Sequence, residues 1–529
     1  MSEREQVARA AGIITVAMIL SRVLGYVRDL ALYAQFGQNR ITDAYNAAFS
    51  IPDFLYMILV GGALSSAFIP VFGGYVATGR EEEGWRVASS LANLVILLLL
   101  LGIALGLVFT PQLVRILVPG FDAGEIGLTV RLTRIMLFQT FFMGLSGVTV
   151  GILNSYKHFA TPALGSVLYN LAVVLVGWTL APYLGIAAYS LGVVLGAVLN
   201  FAVQLPPLFR LGLRYRPVLE LKHPGVRQIG ALVVPVLVGL SVSQFNLFVS
   251  QNLASGLPGG LLAALKTAQR LMQLPLGIFA AAIGTAIFPT LTGQAARREW
   301  AQFRRTASLG IRTVNFLTIP AAAGLIALGL PVIRLLFEAG KFTPENTQAT
   351  ATALFYYSFG IVGYSGALIL NRVYYALKDT RTPVLVGVAT VFLNLILNLL
   401  LVRVLGHGGL ALAYSVVGIV NMVVLILLLR VKIGHVDGRR ILLSGAGALV
   451  SALAMGGAAW LLVGRLEEIL GTVSKLSQAA AVGAGIGAGV ALYLVFAFLL
   501  RLEELRLALE MIGRRLSSFR AARALAERR

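Results

Sequence analysis

The sequence predicts an all-α polytopic membrane protein with about fourteen transmembrane helices. We expect two pseudo-symmetric six-helix lobes followed by a two-helix C-terminal extension. Three observations predict this fold class: long uninterrupted apolar segments, a strong asymmetry of basic residues between alternate connections, and an internal repeat.

Composition indicates the bilayer as the solvent. Of the 529 residues, 58% are hydrophobic and only 12% are charged, whereas soluble proteins carry roughly a quarter charged residues. Segments such as Leu91–Thr110 and Leu443–Val463 have about the 20 residues that a helix needs to cross a membrane. A β-barrel would instead show short segments of alternating polarity. The apolar runs therefore predict helices, which satisfy their own backbone hydrogen bonds in lipid.

Several function classes are disfavoured by the residues themselves. The chain has no cysteine, which excludes disulfides and thiolate metal sites, and its four histidines are scattered. The charged N-terminus leads directly into the first apolar run without a small-residue cleavage site, so we predict a retained span rather than a signal peptide. The basic excess, 43 Lys and Arg against 22 Asp and Glu, follows the membrane connections, and no nucleic-acid partner is predicted.

Fourteen spans follow from hydropathy together with glycine, proline and charge breaks. We place them near residues 12–34, 44–74, 87–110, 128–154, 161–182, 186–208, 228–252, 262–292, 308–330, 350–377, 383–404, 409–430, 441–463 and 479–500.

The charges of the connections test this span count. With the N-terminus inside, 28 basic residues fall in the inner connections and the tail, and seven fall outside. The seven outer ones are Arg40, Arg115, Arg334, Lys341, Arg403, Arg465 and Lys475. This positive-inside bias predicts that both termini lie on the cytoplasmic side of the membrane. Residues 501–529 form a basic tail that can lie on anionic lipid.

An internal repeat relates the two halves. Three segments recur in order at offsets of 219, 221 and 225: Ile58–Phe72 with Gly277–Leu291, Thr161-Pro162 with Thr382-Pro383, and Ala188–Ser190 with Ala413–Ser415. Six spans separate the copies, so the copies have the same orientation, as in transporters that rock one lobe against the other. The predicted division is residues 1–216, 217–436 and 437–500, before the tail. Similar helix ends with recurring proline and glycine are the alternative explanation.

Eight basic residues fall within or at the edges of predicted spans, where a charge costs roughly 2.5 kcal/mol or more at mid-bilayer. Four of them, Arg131, Arg134, Arg312 and Arg372, lie near span ends, where snorkelling places the charge in water. The other four are Arg22, Arg28, Lys266 and Arg270.

Arg22 and Arg28 lie on span 1 on either side of Gly25. Positions i and i+6 point about 240° apart on a straight helix. Either the glycine bends the helix or the two arginines have different partners. The nearby carboxylates are Asp29, Asp43 and Asp53. Internal pairing, for example of Arg28 with Asp43, is the structural alternative to ligand binding.

Lys266 and Arg270 are spaced i, i+4 and therefore share one face of span 8, which contains no acid. Such a face predicts an anionic ligand, and arginine suits phosphate because its planar fork binds two oxygens. Snorkelling is the alternative for Lys266.

The segment Ser21–Phe72, with SRVLGYVRD and TDA, resembles the MurJ (MviN) family of lipid II flippases in the MOP superfamily. Further motifs follow in order: GILNSYKHFATPAL (Gly151–Leu164), QRLMQLPLGIFAAAIGTAIFPTL (Gln269–Leu291), FEAGKFT (Phe337–Thr343) and YYALKDTRTPV (Tyr374–Val384). The resemblance covers essentially the whole chain.

The resemblance implies that this chain flips lipid II, the undecaprenyl-diphosphate-linked peptidoglycan precursor, from the inner to the outer leaflet of the bacterial cytoplasmic (inner) membrane by alternating access. It implies headgroup contacts from Arg22, Arg28 and Arg270, with Lys266 as a further candidate, and a tail groove along spans 13 and 14. The polar or pairing residues of the implied cavity are Asp29, Asp43, Asn46, Asp53 and Gln269.

Three departures from the family pattern matter. Many members carry a basic pair where this chain has Tyr56 and Met57, and an acid where it has Gln269. Some members bind sodium through acids on spans 7 and 11. The candidates here are neutral: Gln244, Asn246, Asn394 and Asn398. A sodium site is therefore not predicted, and a monovalent coupling ion is left open.

No cofactor is expected, because nothing resembles a nucleotide-binding P-loop; the membrane potential is the expected driving force. The expected partners are lipid II and membrane lipids, with the cell-wall synthesis machinery as a further candidate, and the chain is expected to be monomeric. A flippase for an O-antigen or capsule unit and a MATE-type exporter are the alternatives, although such an exporter would want acids in its cavity.

An integral-membrane glycosyltransferase would need a catalytic acid in a sizeable outer loop. The outer loops are short, and their acids are Asp122, Glu125, Glu338, Glu345, Glu467 and Glu468. None is paired in sequence with a histidine, so no enzyme is predicted.

Overall fold

A computed structural model of the chain describes residues 3–60, 63–507 and 510, and in this part the chain is helical without strands. The helices are α1 (Glu3–Phe36), α2 (Arg40–Ala48), α3 (Ser50–Leu59), α4 (Ala63–Ala77), α5 (Glu81–Leu117), α6 (Ala123–Ser155), α7 (Ala160–Leu184), α8 (Ala187–Ala202), α9 (Leu205–Arg210), α10 (Pro224–Ser255), α11 (Leu261–Pro275), α12 (Ala281–Ala296), α13 (Trp300–Phe337), α14 (Pro344–Ser358), α15 (Gly360–Ala376), α16 (Arg381–Leu405), α17 (His407–Ile433), α18 (Gly438–Leu470) and α19 (Lys475–Leu499). A π-helical turn, Leu276–Ala280, joins α11 to α12.

Ten helical segments of the described chain are long and apolar enough to cross a membrane, and the bent pair α14–α15 would make eleven. The predicted polytopic all-α class is confirmed at this level. The other three predicted spans fall on α1, on α2 to α4 and on α10, each of which includes residues or side chains outside the description. The count of fourteen therefore stays a prediction.

Two predicted spans are interrupted at prolines. Span 2 is divided among α2, α3 and α4, with Pro52 in the first turn of α3. Span 8 changes to π-helical geometry directly after Pro275. Proline has no N–H to donate and its ring crowds the preceding turn, so it removes one hydrogen bond from the ladder and favours an irregular turn nearby.

Span 10 bends by 44° between Ser358 and Gly360. The hydroxyl of Ser415 on α17 donates to the carbonyls of Tyr356 and Tyr357 at 2.6 and 3.1 Å. These carbonyls lie in the last turn of α14, where helical partners are missing. The break is therefore stabilised by a neighbouring helix.

The chain forms two compact units, which we describe separately: residues Met1–Ala263 with Ala339–Asn346, and Ala264–Glu338 with Thr347–Arg529. In the first unit, α7 and α8 form an antiparallel hairpin, α1 packs on α7, and α6 contacts α2, α4, α5 and α8. Its core includes Phe68 stacked on Phe72 with ring centroids 5.1 Å apart. Both rings belong to the repeated Ile58–Phe72 segment, so the repeat includes core positions.

Residues Ala339–Asn346 form a strap that packs on the end of α1. The Lys341 N–H donates to the Ala34 carbonyl at 2.8 Å. The Asn346 side chain accepts from the Gln38 N–H at 3.1 Å and donates to the Gln38 carbonyl at 3.0 Å. Gly37 and Gly340 have φ of +73° and +60°, and a Cβ at either position would collide with the opposing backbone carbonyl. The strap therefore fits only a glycine at each crossing.

Local geometry recurs at the repeat offset. Lys157 and Lys378, 221 residues apart, both have positive φ, 63° and 59°. Each precedes a 25-residue helix, α7 or α16, and each of these helices ends at a glycine in the same unusual conformation: Gly185 (φ 58°, ψ −147°) and Gly406 (φ 55°, ψ −132°). The repeat thus extends to backbone conformation, although the six-helix lobes with their boundary at residue 216 stay a prediction.

In the second unit, α13 packs against α18, α15 and α19. Arg312 on α13 is buried, and its guanidinium binds two carboxylates that follow α19: Nε to Glu504 at 2.5 Å and Nη2 to Glu503 at 2.6 Å. Ser444 on α18 also donates to Glu504, at 2.9 Å. The prediction that Arg312 snorkels to water is wrong, because these acids supply its counter-charge inside the protein.

We expect Arg312→Met to destabilise the protein strongly. The substitution leaves the Glu504 side chain, 1% exposed, buried without its cation, and breaking a buried pair in this way costs about 3–5 kcal/mol. The thermal unfolding temperature in detergent should fall by several degrees. Glu504→Gln in the same chain should recover most of the loss, and Glu503→Gln, whose side chain is 64% exposed, should have little effect. An unchanged unfolding temperature in Arg312→Met would contradict this role.

Candidate functional site

Arg28 lies on α1, half-buried, in a polar cluster of the first unit. Its Nε donates to Asp29 at 3.1 Å, and its Nη1 donates to the Asn170 side chain on α7 at 3.3 Å. Asn170 in turn donates to the Ser21 carbonyl at 3.3 Å, so it spans the turns of α1 on either side of Gly25. Asn170 was missed by sequence reasoning, because nothing local links α7 to α1.

Arg22 is exposed on the same helix, and α1 continues through Gly25 without a break. The helix is therefore not broken at Gly25, and the choice between a bend there and different partners for the two arginines stays a prediction. Asn46 is half-buried and donates to the Thr42 carbonyl at 2.8 Å and to the Tyr33 hydroxyl at 3.4 Å. Asp53 is exposed on α3.

Asp43 does not pair with Arg28. It is buried, and its carboxylate accepts the Gly260 N–H at 2.6 Å and the Ala263 N–H at 2.7 Å. These N–H groups belong to the first turn of α11, where helical partners are lacking and a negative charge is favoured by the helix dipole. Asp43 is therefore a remote cap of α11, the helix that carries the second set of predicted site residues.

Helix α11 carries a polar stripe, which we define as Lys266, Gln269, Arg270 and Gln273. At 100° per residue these four positions fall within about 100° of arc. Lys266, Gln269 and Arg270 are half-buried and Gln273 is exposed, whereas Leu271 and Met272 are buried. The predicted shared face of Lys266 and Arg270 agrees with this pattern, and Gln273 extends it by one turn beyond the predicted residues.

Gln269 is held by an aromatic cluster of the second unit. It shares a hydrogen bond with the hydroxyl of Tyr414 on α17. The Tyr414 ring stacks on Tyr364 at a centroid distance of 4.4 Å and meets Tyr357 edge-on at 5.5 Å. Gly418 leaves room for the Tyr364 ring, which a Cβ at that position would overlap. A neutral amide with a neutral phenol therefore occupies the place where the family pattern had suggested an acid.

An apolar groove of about 980 Å³ runs along α18 in the second unit. Helices α13, α15 and α17 complete it. Its lining on α18 extends from Gly438 to Trp460, which is about 33 Å of helix and comparable to the roughly 30 Å hydrocarbon core of a bilayer. Such a groove can hold a hydrocarbon chain across most of the membrane thickness. Helix α18 corresponds to predicted span 13, and the assignment of spans 13 and 14 to a tail groove stays a prediction.

The departures from the family pattern have structural counterparts. Tyr56 packs against the apolar core of the first unit. This position therefore contributes an aromatic side chain to the core and supplies no cation. Asn394 and Asn398 on α16 are buried, and the Asn398 amide donates to Asn394 at 2.6 Å. Gln244 and Asn246 lie on α10 in the other unit. In the described part of the chain, no group of three or more His, Cys, Asp or Glu residues is arranged so that it could hold a metal ion.

The outer-loop acids have structural roles. Asp122 and Glu125 form a reciprocal capping box at the start of α6, each accepting the other's N–H at 2.8 Å. Glu467 pairs with Arg334 at 2.9 Å, and the Thr347 hydroxyl donates to Glu338 at 2.6 Å.

Asp379, in the matched KDTRTP segment, anchors the connection between α15 and α16. Burial raises the pKa of its carboxyl, but hydrogen bonds from Lys432 and Thr382 more than offset this, and the pKa falls to about 2. Lys432 Nζ lies 2.6 Å from the carboxylate. Asp379 is therefore ionised throughout the physiological range and fixes α17 to this connection.

The site residues thus fall into two sets, Arg22, Arg28 and Asp43 in the first unit and the polar stripe in the second.

Comparison with known proteins places this chain in a family. A sequence model of the family described as "Lipid II flippase MurJ" matches residues 32–481. The probable lipid II flippase MurJ of Vibrio cholerae serotype O1 is 35% identical over 520 residues, covering 94% of this chain and 98% of the relative. The lipid II flippase MurJ of Burkholderia cenocepacia is 32% identical over 424 residues, covering 78% and 81%.

Solved structures agree. A lipid II flippase MurJ in an inward closed conformation matches with a TM-score of 0.77 and 26% identity, covering 92% of this chain and 98% of that one. An inward-facing multidrug transporter of the MATE family and MOP superfamily matches with a TM-score of 0.64 and 16% identity over 81% of this chain, and shares the fold. The resemblance predicted from the motifs is confirmed: the chain belongs to the family of lipid II flippases, MurJ.

Proposed function

We propose that this chain is a flippase that moves lipid II from the inner to the outer leaflet of the bacterial cytoplasmic membrane. The observation that carries the proposal is that Arg28 and Arg270 stand at the family's motif positions on α1 and α11. Family membership favours lipid II over the other polyprenyl-linked glycans, and a transporter over an enzyme. The reaction is movement without a change in covalent bonds.

The diphosphate of lipid II is the group that the arginines bind. A guanidinium donates two parallel hydrogen bonds to phosphate oxygens, and such charge-assisted bonds are about twice as strong as neutral ones. Arg28 is held in place by Asp29 and Asn170. The guanidinium N–H groups that these contacts do not use are available to a ligand. Arg270 and Lys266 add positive charge from α11, whose first turn is capped by Asp43. Arg22 is a further candidate because it is exposed.

The polyprenyl tail lies in the apolar groove of the second unit. An isoprenoid chain makes no hydrogen bonds, so it needs only a surface from which water is excluded. The lining from Gly438 to Trp460 would let the tail stay in a hydrocarbon environment while the headgroup crosses. At one end of the groove, Glu504 joins Arg312 on α13 to Ser444 on α18 and so supports the α18 wall.

Transport follows alternating access between two six-helix lobes, residues 1–216 and 217–436, with the groove in residues 437–500. The distribution of basic residues supports cytoplasmic termini, with the basic tail 501–529 on the inner side. A potential that is positive outside favours outward movement of an anionic headgroup, by about 2.3 kcal/mol per charge per 100 mV. We expect a monomer whose partners are lipid II and membrane lipids, with the cell-wall synthesis machinery receiving the product.

Arg270→Ala and Arg28→Ala should each reduce lipid II flipping in proteoliposomes. Loss of a charge-assisted hydrogen bond to phosphate costs about 1.5–3 kcal/mol, which corresponds to roughly a ten- to hundredfold loss of affinity. Arg131→Ala is the matched control, because Arg131 is exposed on α6 outside the proposed site. Normal flipping in Arg270→Ala, with the protein folded and inserted, would refute the assigned role.

Filling the groove should impair transport according to tail length. Gly445 and Gly457 line the groove, and a Cβ at either position meets no atom within 4 Å. Leucine at these positions should therefore narrow the groove without disturbing the fold. We expect Gly445→Leu and Gly457→Leu to slow flipping of full-length lipid II severalfold while a short-tailed analogue is moved at the wild-type rate. Gly483→Leu is the control, since Gly483 on α19 is equally open but does not line the groove. Equal inhibition of both substrates would contradict a tail-binding role.

A further inference from the structure

Gln273 is the one member of the polar stripe on α11 that is exposed. It lies one turn beyond Arg270, at a rise of about 4.5 Å along the helix and within about 60° of its direction. The opposite face of α11 carries buried Leu271 and Met272, so the orientation of the helix is determined by packing. Gln273 is therefore presented on the same side as the two cations.

An exposed glutamine at this position has two explanations. It is the thirteenth residue of an apolar segment that is long enough to cross the membrane, Leu261–Ala296. A primary amide facing hydrocarbon would lose its hydrogen bonds to water, which is unfavourable. A polar face within a span is accommodated where it lines a water-filled cavity. Because Gln273 shares its side of α11 with Lys266 and Arg270, the cavity is the consistent explanation.

Gln269 and Gln273 differ in their surroundings although both are amides on the stripe. Gln269 is half-buried and shares a hydrogen bond with Tyr414, so its amide is already bound within the second unit. Gln273 is exposed and extends the stripe past the cations. A neutral amide placed next to a phosphate-binding arginine can both donate and accept hydrogen bonds. It suits the neutral polar groups that adjoin the phosphate in a ligand.

We propose that Gln273 binds the first sugar of the headgroup and distinguishes the glycan-bearing substrate from the bare polyprenyl diphosphate. This inference rests on the proposed function and deepens it. Arg270 holds the diphosphate, which any polyprenyl diphosphate carries. One turn away, the Gln273 amide hydrogen-bonds the hydroxyl and amide groups of the attached sugar. Selectivity arises because the bare diphosphate lacks the sugar hydroxyl and amide groups, which can both donate to and accept from this amide.

The test compares two ligands in binding to the full-length protein in detergent: lipid II, and undecaprenyl diphosphate without a glycan. We expect Gln273→Leu to raise the Kd for lipid II about three- to tenfold, as loss of one neutral hydrogen bond predicts. The Kd for undecaprenyl diphosphate should stay within twofold of the wild-type value. Gln273→Ala, which removes the amide without adding bulk, is measured alongside in case leucine disturbs the fold. Gln112→Leu, at an exposed glutamine on α5, is the matched control.

Two results would overturn the proposal: equal losses of affinity for both ligands, or no loss for either. A structural role would weaken both ligands together, so it cannot produce the selective loss. Failure of the proposed function would be recognised separately. In that case the wild-type protein would not flip lipid II in proteoliposomes and Arg270→Ala would bind both ligands as the wild type does, whatever the Gln273 variants show.

Discussion

The cost of a charge in hydrocarbon determines how this protein is built. A guanidinium inside a bilayer is tolerated only beside a counter-charge or in water. Arg312 meets the first condition completely, because two carboxylates and a well-packed environment enclose it. Arg28 meets it in part, through Asp29 and the neutral Asn170. Lys266 and Arg270 are half-buried on the polar stripe of α11. The burial of Arg312 with its carboxylates marks it as a structural arginine.

The features that could be predicted from the sequence are those that depend on local order. Apolar runs and proline positions are properties of short segments, and so is the i, i+4 spacing of Lys266 and Arg270. The same periodicity, followed for one more turn, would also have included Gln273. Contacts between distant segments could not be predicted. Asp43 caps a helix 217 residues further along the chain, and sequence proximity had suggested Arg28 as its partner. Arg312 was predicted to snorkel because no acid lies near it in the sequence. Its partners, Glu503 and Glu504, follow α19.

Family membership defines the reaction more firmly than it defines the contacts of each residue. Tyr56, where the family pattern had suggested a cation, contributes to the apolar core of its unit. Gln269, where that pattern had suggested an acid, is held by Tyr414. Replacing an ionic pair by a neutral hydrogen bond removes both the desolvation cost of the charges and their long-range field. Arg270 therefore has a neutral neighbour here in place of an acid.

The strap Ala339–Asn346 has a consequence for how the two units are made. It belongs by its packing to the first unit, while the helices that flank it belong to the second. The first unit is therefore completed only after α13 has been synthesised, and neither unit is encoded by a continuous stretch of the gene. A chain cut at residue 216 would give two fragments, and the first would lack both α10 and the strap. Genetic separation of this protein into autonomous halves would accordingly have to respect its packing rather than its repeat.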